Sequence, residues 1–267
     1  MTQQEQEITS ELRRISTRLL RKGALIEDTY SICRLWDRDQ DFRTNLDRVR
    51  SENSIGARNA AWLREVVATI SSRFQSDRSF EALVVLAHDG LSLNQWRDCL
   101  LWHVGQQDLL FSTFLREWLY LAYEADLVRI RTDDVVPFVV DCTTGRVAHG
   151  TQLSEYGRVR AARDLLLMAT DFGLLRGKAV REFAAYRPSE VGFLYVLHAL
   201  AEREANAQRL IAAPEWRMYL LQPSDVEHEL LRLHQFQRVE YHVAGSIAQL
   251  TLPYSSLLAY VESIAHD

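Results

Sequence analysis

Arginines grouped at two places are the side chains of this chain whose type and spacing could do chemistry. ARNAAWLR puts Arg58, Asn59 and Arg64 around the start of an expected helix. YGRVRAARD puts Arg158, Arg160 and Arg163 along the first turns of another, with Arg176, Lys178, Arg181 and Arg187 following. A guanidinium is a planar fork that matches phosphate oxygens or a guanine edge, and the free amides of a helix start favour the same anions. The chemistry is therefore recognition of a polyanion. Between 155 and 187 there are seven basic and four acidic residues, an excess of three inside a chain whose formal net charge is -5. Contact with nucleic acid through a protein this acidic has to be local. The competing reading is a solvated helix face on which the arginines pair with Glu155 and Asp164. A GC-rich genome would also favour arginine, and only Lys22 and Lys178 are lysines.

Other candidate chemistry fails on spacing. In HELLRLH, His228 and His234 stand six residues apart, whereas two helical zinc ligands stand four apart on one face. The remaining histidines have no ligand residues near them in sequence. VPFVVDCTTG, 136 to 145, has the form of a strand followed by an acid and two threonines, but no phosphate-binding glycine loop accompanies it. There is no GxSxG, and Cys33, Cys99 and Cys142 sit in no nucleophile context. No catalytic residue, metal or cofactor is expected.

The elements that must hold the arginines carry a repeat. REWLYLAYEADLVR at 116 to 129 and RDLLLMATDFGLLR at 163 to 176 superpose Arg116 on Arg163, Leu119 on Leu166, Ala122 on Ala169, Leu127 on Leu174 and Arg129 on Arg176. Each copy reads as an amphipathic helix closing on an acidic or glycine turn and a pair of apolar residues. A weaker third copy, EHELLRLHQFQRVE at 227 to 240, keeps the apolar spacing. Duplicated helix-turn units of this kind build small nucleic-acid-binding and interaction modules. Further helices are expected from Ile8 to Leu25, over 29 to 36, within the charged stretch from Asp37 to Asn53, over Phe80 to Ala87, after Ser92, over the nearly continuous apolar run that follows Ser189, and over 254 to 265. Asn53 or Ser54 is expected to cap the helix whose apolar face is Ala60, Leu63, Val67 and Ile70. The β-branched run in VRIRTDDVVPFVVDCTTGRV suggests a hairpin or wing, and QRVEYHVAGSIAQLTLP suggests two strands about Ala244-Gly245 following a helix, the shape of a winged helix.

The fold class expected is mainly α: a helical bundle with helix-turn-helix or winged-helix-like modules and one or two short β-hairpin wings. Three consecutive parts are expected: 1 to 76, 77 to 150 and 151 to 267. Scattered cysteines fit a reducing compartment, and the most apolar stretch, 109 to 128, carries Arg116, Glu117, Glu124 and Asp126, which makes it a poor membrane span. A cytoplasmic protein without a membrane partner is expected.

Three segments resemble the BrxA family of BREX bacteriophage-exclusion systems. SENSIGARNAAWLREVVATISSRF looks like that family's N-terminal signature, LLFSTFLREWLYLAYEADLVRIRTDDVVPFV is similar to its helix, acidic turn and aromatic-apolar run, and LSEYGRVRAARDLLLMATDFGLLRG is similar to its Ser-capped helix. The resemblance covers roughly residues 10 to 200, with fewer basic residues on the Ala/Arg helix than the family pattern. It implies a mostly helical protein that binds double-stranded DNA for a defence complex without being the methyltransferase. Carried over by position, Arg58, Asn59 and Arg64 match the Ala/Arg helix, and Arg158, Arg160 and Arg163 the later one. The expected function is a non-enzymatic DNA-binding accessory protein contacting the phosphate backbone, alongside other phage-defence proteins. The alternative is an adaptor that docks on a larger defence enzyme without touching DNA.

Overall fold

The computed structural model describes residues 22–144, 153–245 and 247–264. Most of the expected first helix, and the end of the hairpin expected to reach residue 147, lie outside the described residues. The chain forms two compact units rather than three consecutive parts. Residues 104–186, with the segment ending at Leu25, make one, and residues 26–103 with 187–267 the other. A unit assembled from two separated stretches leaves no linker composition for a sequence reading to find.

In the unit built around 104–186, Asp108 caps helix α6 (Leu109–Thr113) by accepting the Phe111 amide at 3.0 Å. The helix continues through a π-helical turn (Phe114–Leu119) into α7 (Tyr120–Glu124). Ile130 then forms a bridge, α8 (Thr132–Thr144) and α9 (Glu155–Asp171) follow, and strands β1 (Leu175–Gly177) and β2 (Arg181–Phe183) pair antiparallel. Ile130 and Arg181 exchange both backbone hydrogen bonds at 2.8 Å, which ties the segment before α8 to the hairpin. Phe111 and Phe172 stack at 5.9 Å in the core, and α8 packs on α9.

The hairpin expected within 128 to 147 is, over 132–144, helix α8. Its β-branched residues serve a helical face: Val135, Val139 and Cys142 are buried at spacings of four and three. Asp134 accepts the Arg131 amide at 2.7 Å at the helix start. Pro137 removes one amide in the second turn. A β-propensity run on one helical stripe is therefore read by its period, not its residue types.

The other unit contains α1 (Ile26–Arg34), α2 (Phe42–Glu52), α3 (Ala60–Phe74), α4 (Phe80–His88) and α5 (Leu93–Gln107), the last belonging to it through His103. It is completed by α10 (Glu190–Ala201), α11 (Ala207–Ile211), a 3-10 turn (Pro214–Tyr219), α12 (Pro223–Gln235), strands β3 (Glu240–Ala244) and β4 (Ile247–Thr251), and α13 (Leu257–Ile264). Trp36, Phe42, Phe74 and Phe80 meet at 5.1 to 5.5 Å in one aromatic cluster. Gly192 lets α10 approach α5, because a Cβ there would lie 2.5 Å from Asp98 Cβ. The expected hairpin after α12 is present, with Ala244 opposite Ile247.

The three repeat copies share a local device. Asp126, Gly173 and Gln237, at the same repeat position, have φ of 50, 80 and 58 degrees. The next amide, from Leu127, Leu174 or Arg238, donates to the carbonyl of Ala122, Ala169 or Leu233 at 2.9 to 3.0 Å. This is the Schellman closure, which satisfies helix-end carbonyls and turns the chain sharply. Each copy is thus a helix that stops on a left-handed residue and continues extended, into the Ile130 bridge, β1 or β3.

Candidate nucleic-acid interface

Helix α9 begins at Ser154, whose hydroxyl accepts the Gly157 amide at 3.2 Å. Ala161, Ala162, Leu165, Leu166, Met168 and Ala169 are buried, and that inner face fixes what points outward. Tyr156, Arg160, Arg163 and Leu167 are exposed, one stripe at intervals of four, three and four residues. Tyr156 keeps 72% of its surface in solvent and Leu167 keeps 43%, so these apolar groups share the outer face with the cations. Arg160 Nε lies 3.8 Å from Asp164 Oδ2, a surface pair of small strength. Among the described residues Arg163 has no ion-pair partner. Arg158 is half-buried, and its Nε has no hydrogen-bond partner.

Beyond α9 the chain turns at Gly173 into the β1–β2 hairpin. Arg176 and Glu182 face each other across the strands, with Arg176 Nε 3.0 Å from Glu182 Oε1. Lys178 is exposed at the tip. The tip needs glycine at 177: its φ is +103 degrees, and a Cβ would meet Val180 O at 2.4 Å. Arg181 differs from the sequence expectation of a surface contact. Only 6% of it is exposed, and its Nε donates to Thr170 Oγ1 at 3.1 Å. Burial pulls its pKa below the ordinary arginine value, against the charge of Asp171. Burial pushes Asp171 up, while the Ala24 amide and Arg181 hold it down. Arg181 is a core residue of this unit.

The second group, Arg58, Asn59 and Arg64, belongs to the other unit together with Arg187. Arg58 and Arg64 are exposed. Asn59 is the cap of α3, its side chain accepting the Trp62 amide at 2.8 Å, so the expected caps Asn53 and Ser54 are corrected. Asn53 instead closes α2 in the left-handed region and brackets Ala57 with two side-chain hydrogen bonds. A helix start five or six residues later turns the buried face to Leu63, Val66 and Ile70; Ala60 is exposed and Val67 half-buried.

One polar cluster had no sequence signal, because its members lie far apart along the chain. His103 is fully buried, its Nδ1 against Asp77 Oδ2 and its Nε2 against the Tyr195 hydroxyl. Burial opposes the Asp77 charge, yet His103 and Ser79 hold that carboxyl below its usual range. Burial pushes the Tyr195 hydroxyl up, so it stays protonated beside the ring. The cluster joins α5 and α10 to the turn before α4 and is a structural lock.

The family model for BrxA matches residues 13–190, two thirds of the chain, and both arginine groups fall within the match. The chain belongs to the BrxA family. Membership makes it a component of a BREX phage-defence system. Neither the curated proteins nor the solved structures give a match. The BrxA match takes in α1 to α9 and the β1–β2 hairpin, whereas α11, α12, the β3–β4 hairpin and α13 lie beyond it. Among the described residues no helix is long and apolar enough to cross a membrane.

Proposed function

We propose that this BREX component is a non-enzymatic double-stranded-DNA-binding protein of the cytoplasm, with α9 and the β1–β2 hairpin as its contact surface. The observation that carries the reading is the outward stripe of α9, where Arg160 and Arg163 stand clear of the core on a rigid, capped helix. The order of elements supports it. A helix, a bridged strand, two helices and a hairpin joined back to that strand is the order of winged-helix modules, in which the last helix of the helix-turn-helix enters the major groove. On this reading Arg176 and Lys178 of the hairpin meet the flanking phosphates, and selectivity for sequence is low because phosphate contacts position without specifying.

The test is fluorescence anisotropy with a labelled duplex at low salt. Replacing Arg158, Arg160 and Arg163 together with Glu should remove binding, since attraction is lost and repulsion added; Arg158 is half-buried, so replacing the exposed Arg160 and Arg163 alone carries the test if the triple variant does not fold. A folded triple variant that binds like wild type would sink the reading. The adaptor reading would then gain from Leu121 and Val128, apolar residues that stand 58% and 72% exposed at the end of the first repeat helix.

A further inference from the structure

A cleft of about 320 Å³ opens in the unit that holds α10, α12 and α13. Its volume falls at the small end of the range for ligand sites, about 300–1,000 Å³. Glu190, Leu194 and His198 of α10 line one wall, Arg238 enters from the turn after α12, and Tyr254 and Tyr260 line the other side. The match to BrxA ends at residue 190, so of the cleft's lining only Glu190 falls within it.

His198 is the informative residue. It is 2% exposed, yet its Nε2 has no hydrogen-bond partner. A buried polar atom left unsatisfied is uncommon and asks for an explanation. The ring is held in place by Tyr260, stacked at 4.6 Å and 13 degrees, while the Tyr254 centroid lies 6.1 Å from both. Burial lowers the His198 pKa to about 4, so near neutral pH the imidazole is uncharged and its free nitrogen can donate or accept one hydrogen bond by choice of tautomer. Arg238 adds a cation at the rim. Its Nε is 3.4 Å from Glu190 Oε1, and more than half of its side chain is exposed. An arginine carries further N–H donors in a fixed fork suited to a phosphate.

Aromatic faces, one neutral hydrogen-bonding nitrogen and one guanidinium, the last shared with the Glu190 carboxylate, converge on a small volume. We propose that this cleft binds a planar nitrogen heterocycle carrying a phosphate, a ligand of the class of a nucleoside monophosphate. The heterocycle would lie against Tyr254 with its edge at His198, and the phosphate would meet Arg238. Stacking on tyrosine is tolerant of base identity, and a shift of the accessible Tyr254 ring would let a heterocycle edge reach the buried Nε2. The cleft and the proposed DNA-contact surface belong to different units, and the proposal does not depend on that reading.

Calorimetric titration of the full-length protein with AMP, GMP, CMP and UMP tests it, with adenosine and inorganic phosphate as the two partial ligands. At least one mononucleotide should saturate at one per chain, with adenosine and phosphate each weaker by about tenfold or more. His198→Phe keeps the ring stack on Tyr260 and removes Nε2, and should weaken binding by about tenfold. Tyr254→Ala alters an accessible ring, so it carries the test if the buried variant does not fold, and it should weaken binding as well. Arg160→Gln with Arg163→Gln should leave mononucleotide binding unchanged, which separates this site from DNA contact. The proposal is overturned if none of the four mononucleotides saturates at about 1 mM, or if Tyr254→Ala binds as wild type does.

Discussion

Two arginines eighteen residues apart in sequence, Arg163 and Arg181, should fail in opposite ways when replaced. Arg181 is 6% exposed, donates to Thr170 Oγ1 at 3.1 Å, and lies beside the half-buried Asp171. Methionine fills much of the same volume but cannot donate. Thr170 Oγ1 keeps its own bond to Leu166 O at 2.8 Å, so the loss is one hydrogen bond from a charged donor plus the exposure of Asp171 to an apolar neighbour. The buried charge itself was costly to desolvate, and removing it returns part of that loss. The net cost of Arg181→Met is about 2 kcal/mol, which lowers the thermal midpoint of a chain this size by roughly 4–8 °C. Arg163→Gln touches an exposed side chain and should shift stability by no more than about 0.5 kcal/mol. In the DNA assay the order reverses: Arg163→Gln reduces the slope of affinity against salt by about 0.9, whereas folded Arg181→Met keeps the wild-type slope. Circular dichroism melts and anisotropy titrations on the same preparations give both numbers. If Arg181→Met melts within a degree of wild type and loses DNA binding as Arg163→Gln does, the division between core and contact arginine is wrong.

Three further outcomes are expected. His198 has a folded pKa of about 4 against an ordinary 6.5, so its contribution is fully present above pH 6.5 and is lost as pH falls toward 4. That loss is of order 3 kcal/mol, and the stability of His198→Phe measured by urea unfolding should fall less over the same window. Asn59→Ala removes the cap of α3 and should cost about 1 kcal/mol, while Asn59→Asp keeps an accepting oxygen and should not; equal melting points for the two would refute the capping role. Gly177→Ala puts a Cβ within 2.4 Å of Val180 O at a φ of +103 degrees and should cost about 1–3 kcal/mol, loosening the hairpin that presents Lys178. Its DNA affinity should drop with Arg160 and Arg163 intact, and unchanged affinity would remove the hairpin from the contact surface.

The helices were legible wherever an apolar stripe was long and capped, as in α9, α10 and α12. The repeat was legible too, and its physical content turned out to be a shared helix closure, since Asp, Gly and Gln at positions 126, 173 and 237 all adopt the left-handed turn. Two things misled. The valine run before Cys142 has the residue types of a strand and the period of a helix, and β1 and β2 are three residues each, too short to show alternation. Of the candidate arginines, exposure separates Arg160, Arg163 and Arg176 from Arg181, a distinction that depends on the bridge from Ile130 to Arg181 and so on a contact fifty residues away. The Asp77, His103 and Tyr195 cluster and the His198 cleft are tertiary in origin, and spacing along the chain carries no trace of either.

The central claim is that α9 and its hairpin hold a duplex by its phosphates. The direct measurement is the equilibrium constant for a random-sequence duplex as salt rises from 50 to 200 mM. With Arg160, Arg163, Arg176 and Lys178 as four contacts, the slope of log K against log salt should be about -3.6, an affinity loss of roughly 150-fold across that range. Arg160→Gln with Arg163→Gln should halve the slope to about -1.8. No binding at tens of micromolar protein at the low-salt end, or a slope that the double variant leaves unchanged, would contradict the account.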